Sequence, residues 1–84
     1  MSQAKEMDVL LPQWTMDMRE GDVVRWLCAE GAHVAVGQDL VEIEAEKVTS
    51  VLDSPAAGIL AKIFVPEGGT AEVGERLAVI LLTD

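Results

Sequence analysis

The sequence predicts an all-β domain, a flattened barrel of two antiparallel sheets related by a quasi-two-fold axis. One observation is an internal repeat, because residues 21–43 align without a gap on residues 58–80 at a shift of 37, with seven identities in 23 positions. Another is that short runs of Val, Ile and Leu alternate with Gly and Pro signals. No window shows an apolar 3.6-residue repeat of helical length with caps.

The apolar runs predict six strands, with two shorter ones near Val34 and Ala71. The six strands are Met7–Leu11, Asp22–Leu27, Leu40–Ala45, Val48–Asp53, Ile59–Val65 and Arg76–Leu82. Glycines between them supply turns with positive φ, and the prolines fall at strand ends, where a missing N–H does least harm. We expect one domain over residues 1–84, with its core at about residues 7–82.

Composition excludes several classes of function. The formal net charge is −9, which disfavours nucleic acid and anionic membranes as partners. No apolar run reaches the roughly 20 residues of a membrane span, and the first residues lack the apolar core of a signal peptide. Cys28 is the only cysteine, which excludes an internal disulfide or a cysteine-based metal site. The cytoplasm is therefore the expected compartment, and a single reduced cysteine suits it.

Lys47 lies at the joint between the two repeated halves. The shift of 37 carries Lys47 onto Asp84, so the chain ends are expected at the equivalent place on the other side. Only Glu46 and Lys47 separate two predicted strands, which indicates a two-residue hairpin loop. Such loops favour Asn-Gly or Asp-Gly because their central residues often need positive φ, although a type I turn would accept Glu-Lys. Local rules tend to be broken at functional sites.

The chemistry open to an exposed hairpin lysine is narrow. From position alone it is most often a solvated surface charge. Exposed lysines are in general poor catalytic bases and poor Schiff-base nucleophiles, because both roles need an environment that lowers the affinity of the amine for its proton. Such a lysine can still be acylated by an enzyme that deprotonates it and supplies an activated acyl group. The domain would then carry a prosthetic group without performing chemistry itself.

Several short motifs resemble one known family. They are Leu11-Pro12, Met18-Arg19-Glu20-Gly21, Val34-Ala35-Val36-Gly37, Glu42-Ile43-Glu44-Ala45-Glu46-Lys47-Val48, Ser54-Pro55-Ala56-Ala57-Gly58 and Val73-Gly74. Over about Val9 to Leu82 the chain resembles the lipoyl domains of 2-oxo acid dehydrogenase and acetoin dehydrogenase complexes. Trp14 and residues 24–27 resemble the lipoyl domains of acetoin dehydrogenase complexes more than those of the 2-oxo acid dehydrogenase complexes.

The resemblance implies that Lys47 bears lipoic acid through an amide bond. Glu44, Ala45, Glu46 and Val48 would then be read by a lipoyl ligase or transferase. The implied partners are a thiamine-dependent dehydrogenase component that loads the acyl group, an acyltransferase core that receives it, and a dihydrolipoyl dehydrogenase that reoxidises the dithiol. The usual family run is Glu-Thr-Asp-Lys, so Ala45 and Glu46 are departures from it.

Two alternatives remain at the level of sequence. Related biotin carriers of carboxylases place Met on both sides of the lysine, whereas Glu46 and Val48 flank it here. An unmodified hairpin module of efflux-pump fusion subunits normally carries a helical insertion at the hairpin, and this chain has two residues there.

Four other residues attract attention as possible functional groups. Trp14 and Trp26 are expected to pack, with Trp14 alternatively forming a partner-facing patch beside the hairpin. Cys28 is predicted to be a small core or edge residue, and His33 to be solvated in a turn.

Overall fold

The computed structural model describes residues 5–83, and all regular structure within them is β-strand. The strands are β1 (Glu6–Leu10), β2 (Glu20–Trp26), β3 (His33–Val34), β4 (Asp39–Ala45), β5 (Val48–Asp53), β6 (Gly58–Ile63), β7 (Thr70–Glu72) and β8 (Arg76–Leu82). They form two four-stranded antiparallel sheets, ordered β1-β8-β6-β3 and β5-β4-β2-β7. The predicted all-β fold of two sheets is confirmed. No helix among the described residues is long and apolar enough to cross a membrane.

The quasi-two-fold symmetry follows from the order of strands in the sheets. The 37-residue shift carries β2, β3 and β4 onto β6, β7 and β8, and β5 takes the place in its sheet that β1 takes in the other. Asp84, the predicted counterpart of Lys47, lies outside the described residues. The ends of β8 and β1 nevertheless pair as the hairpin strands do, and Leu82 N–H donates to the Lys5 carbonyl at 2.8 Å.

The strand predictions are right in number and off by up to two residues at several ends. β2 begins at Glu20, earlier than predicted, because Glu20 and Gly21 pair with β7. β6 ends at Ile63 rather than Val65. The expectation that His33 lies in a turn is wrong, since it pairs with Ile59 in β3, although its side chain is exposed as expected.

A repeated glutamate connects the two halves of the domain. The Glu30 carboxylate accepts a hydrogen bond from Ile63 N–H at 2.7 Å, and the Glu67 carboxylate accepts one from Trp26 N–H at 3.4 Å. Each glutamate thus satisfies a backbone donor at the end of the strand in the opposite half. This reciprocity gives a structural reason for the same residue at both positions.

Repeated apolar residues and glycines build the core. Leu40, Leu77, Ile43 and Ile80 are fully buried, two from each half. A Cβ on Gly21 would lie 2.7 Å from Ile43 Cγ2, and one on Gly58 would lie 2.9 Å from Ile80 Cγ2. Each glycine therefore lets the repeated isoleucine of the neighbouring strand pack against the backbone. Cys28 is half-buried and packs against this core, as predicted.

Gly58→Ala is expected to lower the free energy of unfolding by about 3 kcal/mol, the upper end for overpacking. The added methyl would overlap the Leu81 carbonyl oxygen, which is held in the sheet and cannot move aside. Gly31→Ala is the matched control, because φ there is +89° but no atom lies within 4 Å of the added carbon. It should cost about 1 kcal/mol from backbone conformation alone. Urea denaturation measures both, and equal losses would contradict the steric explanation.

Candidate functional site

The hairpin between β4 and β5 presents Lys47 at its tip. Ala45 pairs with Val48, which leaves Glu46 and Lys47 as the two loop residues. Their φ angles are +52° and +68°, so both adopt the left-handed conformation that a type I′ hairpin turn requires. The predicted two-residue loop is confirmed. Its turn is not the type I turn that would accept Glu-Lys, but one whose central residues need positive φ, for which Glu-Lys is a poor choice.

Holding two non-glycine residues in this conformation is unfavourable, by roughly 1–2 kcal/mol per residue. The strands that precede and follow the loop offset that cost. β4 pairs with β2 as well as with β5, and its residues Val41 and Ile43 are fully buried. The paired strands therefore hold the loop in this strained turn. The conformation of the turn then sets the direction of the Lys47 side chain.

A hydrogen bond ties the hairpin to the long loop between β1 and β2. Thr15 Oγ1 donates to Glu46 Oε1 at 2.9 Å. The loop is itself closed by Gln13 Nε2, which donates to the carbonyls of Met16 and Met18 at 3.0 and 3.3 Å. Met18 is buried, so the loop that bonds Glu46 through Thr15 is itself anchored in the core. Thr15 is not among the site residues that the sequence predicts.

The acidic residues near the lysine are engaged in different ways. Glu42 forms a salt bridge with Arg25 across the sheet, with 3.1 Å between Nε and Oε1. Glu46 bonds Thr15, and Glu44 is exposed on β4. Among residues 5–83 no carboxylate oxygen lies within 4.0 Å of the Lys47 amine. The amine is therefore exposed within an acidic surface rather than held in an ion pair.

Exposed apolar side chains accompany the hairpin. Val48, directly after the lysine, is 62% exposed, and Trp14 is 41% exposed in the neighbouring loop. Trp14 lies beside the hairpin, where it lines a cavity together with Ala45 and Val48. Trp26 packs instead, with its indole N–H donating to the Val65 carbonyl at 2.9 Å. Of the two tryptophans, only Trp14 belongs to the hairpin surface.

Of the five residues predicted to form the site, all lie on one continuous hairpin. Glu44, Glu46, Lys47 and Val48 are exposed, and Ala45 is half-buried against the core. The structure adds Thr15 from the loop before β2. It also places Trp14 beside the hairpin, which is the alternative that the sequence left open, rather than in the core. Such an arrangement can offer one amine to another enzyme's active site, with a shaped surface around it.

A two-sheet β domain with a lysine at a hairpin tip defines a class of carrier domains. A family model described as "Biotin-requiring enzyme", of the biotin and lipoyl attachment type, matches residues 7–80. The chain belongs to this biotin/lipoyl attachment family.

Similar proteins include components of enzyme complexes that are much longer than this chain. The pyruvate dehydrogenase protein X component of Mus musculus is 40% identical over 80 residues, covering 94% of this chain and 16% of its own. The acetyltransferase component of the pyruvate dehydrogenase complex of Mycobacterium bovis is 46% identical over 70 residues, covering 83% and 13%. The acetyltransferase component of the acetoin cleaving system of Cupriavidus necator is 31% identical over 72 residues, covering 86% and 19%. This chain therefore spans less than a fifth of the length of each.

Solved structures match the fold closely. The lipoyl domain of the 2-oxoglutarate dehydrogenase complex from Azotobacter vinelandii superimposes with a TM-score of 0.72 at 31% identity, covering 93% of this chain and 96% of that domain. A single-chain, multi-domain long-chain acyl-CoA carboxylase gives a TM-score of 0.78 at 30% identity, covering 94% of this chain and 7% of that one. One of the two similar structures is thus a lipoyl domain and the other is a carboxylase.

Proposed function

We propose that this chain is a lipoyl carrier domain, with lipoic acid attached by an amide bond to Nζ of Lys47. Its exposed amine at the tip of a rigid, positive-φ hairpin is the observation that carries the proposal. The domain would serve a 2-oxo acid or acetoin dehydrogenase complex by moving acyl groups between components. It would do so as part of a longer acyltransferase chain or as a separate carrier.

The residues around Lys47 fit such a group. The tip is narrow, because only two residues separate the paired strands, so a modifying enzyme can surround the lysine side chain. The amine has no close carboxylate among the described residues, so no ion pair must be broken before it is acylated. When bound, lipoic acid supplies a dithiolane whose reduced thiol can hold an acyl group as a thioester.

The protein's own part in this function is presentation. β4 and β5 fix the height and direction of the lysine, and the bond from Thr15 to Glu46 holds the turn against the neighbouring loop. Tethering an arm in this way raises its local concentration at each active site to about the mM range. An acidic surface of net charge −9 suits basic docking surfaces and speeds encounter with them.

The proposed partners follow from this role. They are a lipoyl ligase or transferase, a thiamine-dependent dehydrogenase component, an acyltransferase core and a dihydrolipoyl dehydrogenase. Glu44, Ala45, Glu46 and Val48 would form the surface that the ligase reads directly, because they flank the lysine on the hairpin.

A biotin carrier is the second candidate, favoured by the likeness to the acyl-CoA carboxylase structure. Glu46 and Val48 beside Lys47 stand against it, because biotin carriers are expected to have Met there. The chain can be incubated separately with a lipoyl ligase and a biotin ligase, and intact mass then separates the two added groups. Exclusive biotinylation would overturn the lipoyl proposal. An unmodified Lys47 in the native host would favour the structural hairpin module.

Glu46→Asp is expected to leave the rate of lipoylation unchanged or to raise it. Asp adopts the left-handed conformation more readily than Glu, while its shorter side chain weakens the bond to Thr15. That exposed hydrogen bond contributes about 0.5–1.5 kcal/mol, so the two effects on stability offset each other. Initial rates with a lipoyl ligase measure the outcome.

Thr15→Val is the matched control for that substitution. It removes the hydrogen bond to Glu46 but leaves the turn residues intact. A large fall in rate for Glu46→Asp, without one for Thr15→Val, would mean that the ligase reads the longer acidic side chain itself.

A further inference from the structure

A small cavity lies between the hairpin and the loop that precedes β2. Its volume is about 170 Å³. Three lining residues, Trp14, Thr15 and Met18, come from the loop, and Ala45, Val48 and Ser50 come from the hairpin. Glu46 also lines the cavity, and its carboxylate accepts the hydrogen bond from Thr15.

We propose that this cavity is a resting seat for the dithiolane ring of the arm attached to Lys47. The inference rests on the lipoyl function proposed above and adds a binding site for the ring on the domain's own surface. In the seated state the ring lies against the domain. It leaves the cavity when a partner enzyme takes the arm into its active site.

The arm is long enough to fold back into the cavity. Counting bonds from the lysine Cα to the ring, the extended arm measures about 14 Å. Val48, the adjacent residue, has its Cα about 3.8 Å from that of Lys47. Ser50 lies three residues away, at most about 10 Å along the strand. An arm that bends back can therefore reach both Val48 and Ser50, which line the cavity on the hairpin side.

The cavity also suits the ring in size and chemistry. A volume of 170 Å³ equals roughly five or six water molecules at about 30 Å³ each, enough for a ring of five heavy atoms. The ring is apolar apart from two polarisable sulfurs. Trp14 offers an aromatic surface, and sulfur packs favourably against aromatic rings. Met18, Ala45 and Val48 also line the cavity and are apolar residues.

Partial exposure of the walls makes the seat reversible. Val48 is 62% exposed and Trp14 is 41% exposed, so both have apolar surface left to cover. The ring would cover part of it without closing the cavity. Release then requires no opening of the sheets, because the walls belong to a surface loop and a hairpin.

The test uses the 84-residue chain lipoylated by a ligase, with intact mass and peptide mapping to confirm modification at Lys47. In ¹⁵N-labelled protein we expect nuclear Overhauser contacts between the ring protons and the Trp14 indole. Amide shifts on lipoylation should extend to Thr15, Met18 and Ser50. A chain octanoylated at the same lysine is the matched ligand control, since it lacks the sulfurs, and it should give smaller shifts at Trp14.

A second measurement follows the reduction of the ring by a small phosphine. The seat should protect the disulfide, so Trp14→Ala should be reduced at least threefold faster than the wild type. Met16→Ala is the matched control, because Met16 lies in the same loop, is 95% exposed and does not line the cavity. It should be reduced at the wild-type rate.

The outcomes separate the two proposals. If Lys47 is lipoylated but wild-type shifts stop at residues 46–48 and indole contacts are absent, the seat is overturned and the carrier function stands. Equal reduction rates for all three proteins would also overturn the seat. If the ligase leaves Lys47 unmodified, both proposals fail. The indole contacts are measured in the wild type, so they decide even if Trp14→Ala does not fold.

Discussion

Replacing Lys47 by arginine is expected to abolish lipoylation and acyl transfer while leaving the domain folded. The guanidinium keeps the positive charge but does not form the amide. Residue 47 is exposed at a hairpin tip, and surface substitutions of this kind change the free energy of unfolding by no more than about 0.5 kcal/mol. Intact mass after incubation with a lipoyl ligase measures the loss of lipoylation, and urea denaturation measures the free energy of unfolding.

Lys62→Arg is the control for that experiment. Lys62 lies within β6 rather than in a loop, and its amine is 5.9 Å from the centre of the Phe64 ring. This variant should gain one lipoyl group, as the wild type does, and Lys5 should remain unmodified in both. Lipoylation of the Lys47→Arg protein at another lysine would remove the basis for assigning the arm to the hairpin. Unfolding of that protein would contradict the view that residue 47 contributes little to stability.

The repeat explains why so much of the fold could be predicted from the sequence. The same glycine and isoleucine recur in each half because the isoleucine packs against the glycine backbone in both. The pairs are Gly21 with Ile43 and Gly58 with Ile80. Glu30 and Glu67 recur because each bonds the backbone of the other half. A two-fold relation between the halves therefore appears in the sequence as identities at a fixed spacing.

The hairpin could be predicted for a different reason. A two-residue connection between antiparallel strands leaves few backbone conformations, and the favoured ones need positive φ. Glu46 and Lys47 both disfavour positive φ, so the sequence alone indicates an unusual loop. The observed φ angles of +52° and +68° confirm that this local conflict is real.

The rest of the site could not be predicted, because it depends on contacts that have no repeat and no local pattern. Thr15 and Glu46 are 31 positions apart, and the loop that holds Thr15 precedes the repeated segment. Whether Trp14 packs inward or borders the lysine depends on how that loop closes over Met18. Trp14 N–H, for example, donates to the Met18 sulfur at 3.5 Å. Such tertiary contacts became visible only in the folded structure.

Exchanging Glu46 and Lys47 is expected to reduce the rate of lipoylation by tenfold or more. The exchange preserves composition, charge and loop length. It moves the amine to the position whose side chain now reaches Thr15, so the lysine is directed toward the neighbouring loop rather than outward. A tenfold loss corresponds to about 1.4 kcal/mol in transition-state binding. Ligase rates on the folded wild type and the exchanged protein measure the difference.

A peptide spanning Val41–Leu52 completes the test of whether the ligase reads geometry or sequence. It contains the whole attachment run but lacks β2, which pairs with β4, and an isolated two-stranded hairpin is marginal in water. The positive-φ turn would then be only partly populated, so the peptide should be a poor substrate. The exchanged domain should also be a poor substrate, although it is folded. Equal rates for the peptide, the exchanged domain and the wild type would show that local sequence suffices. The rigid presentation of Lys47 by the two sheets would then have no part in its modification.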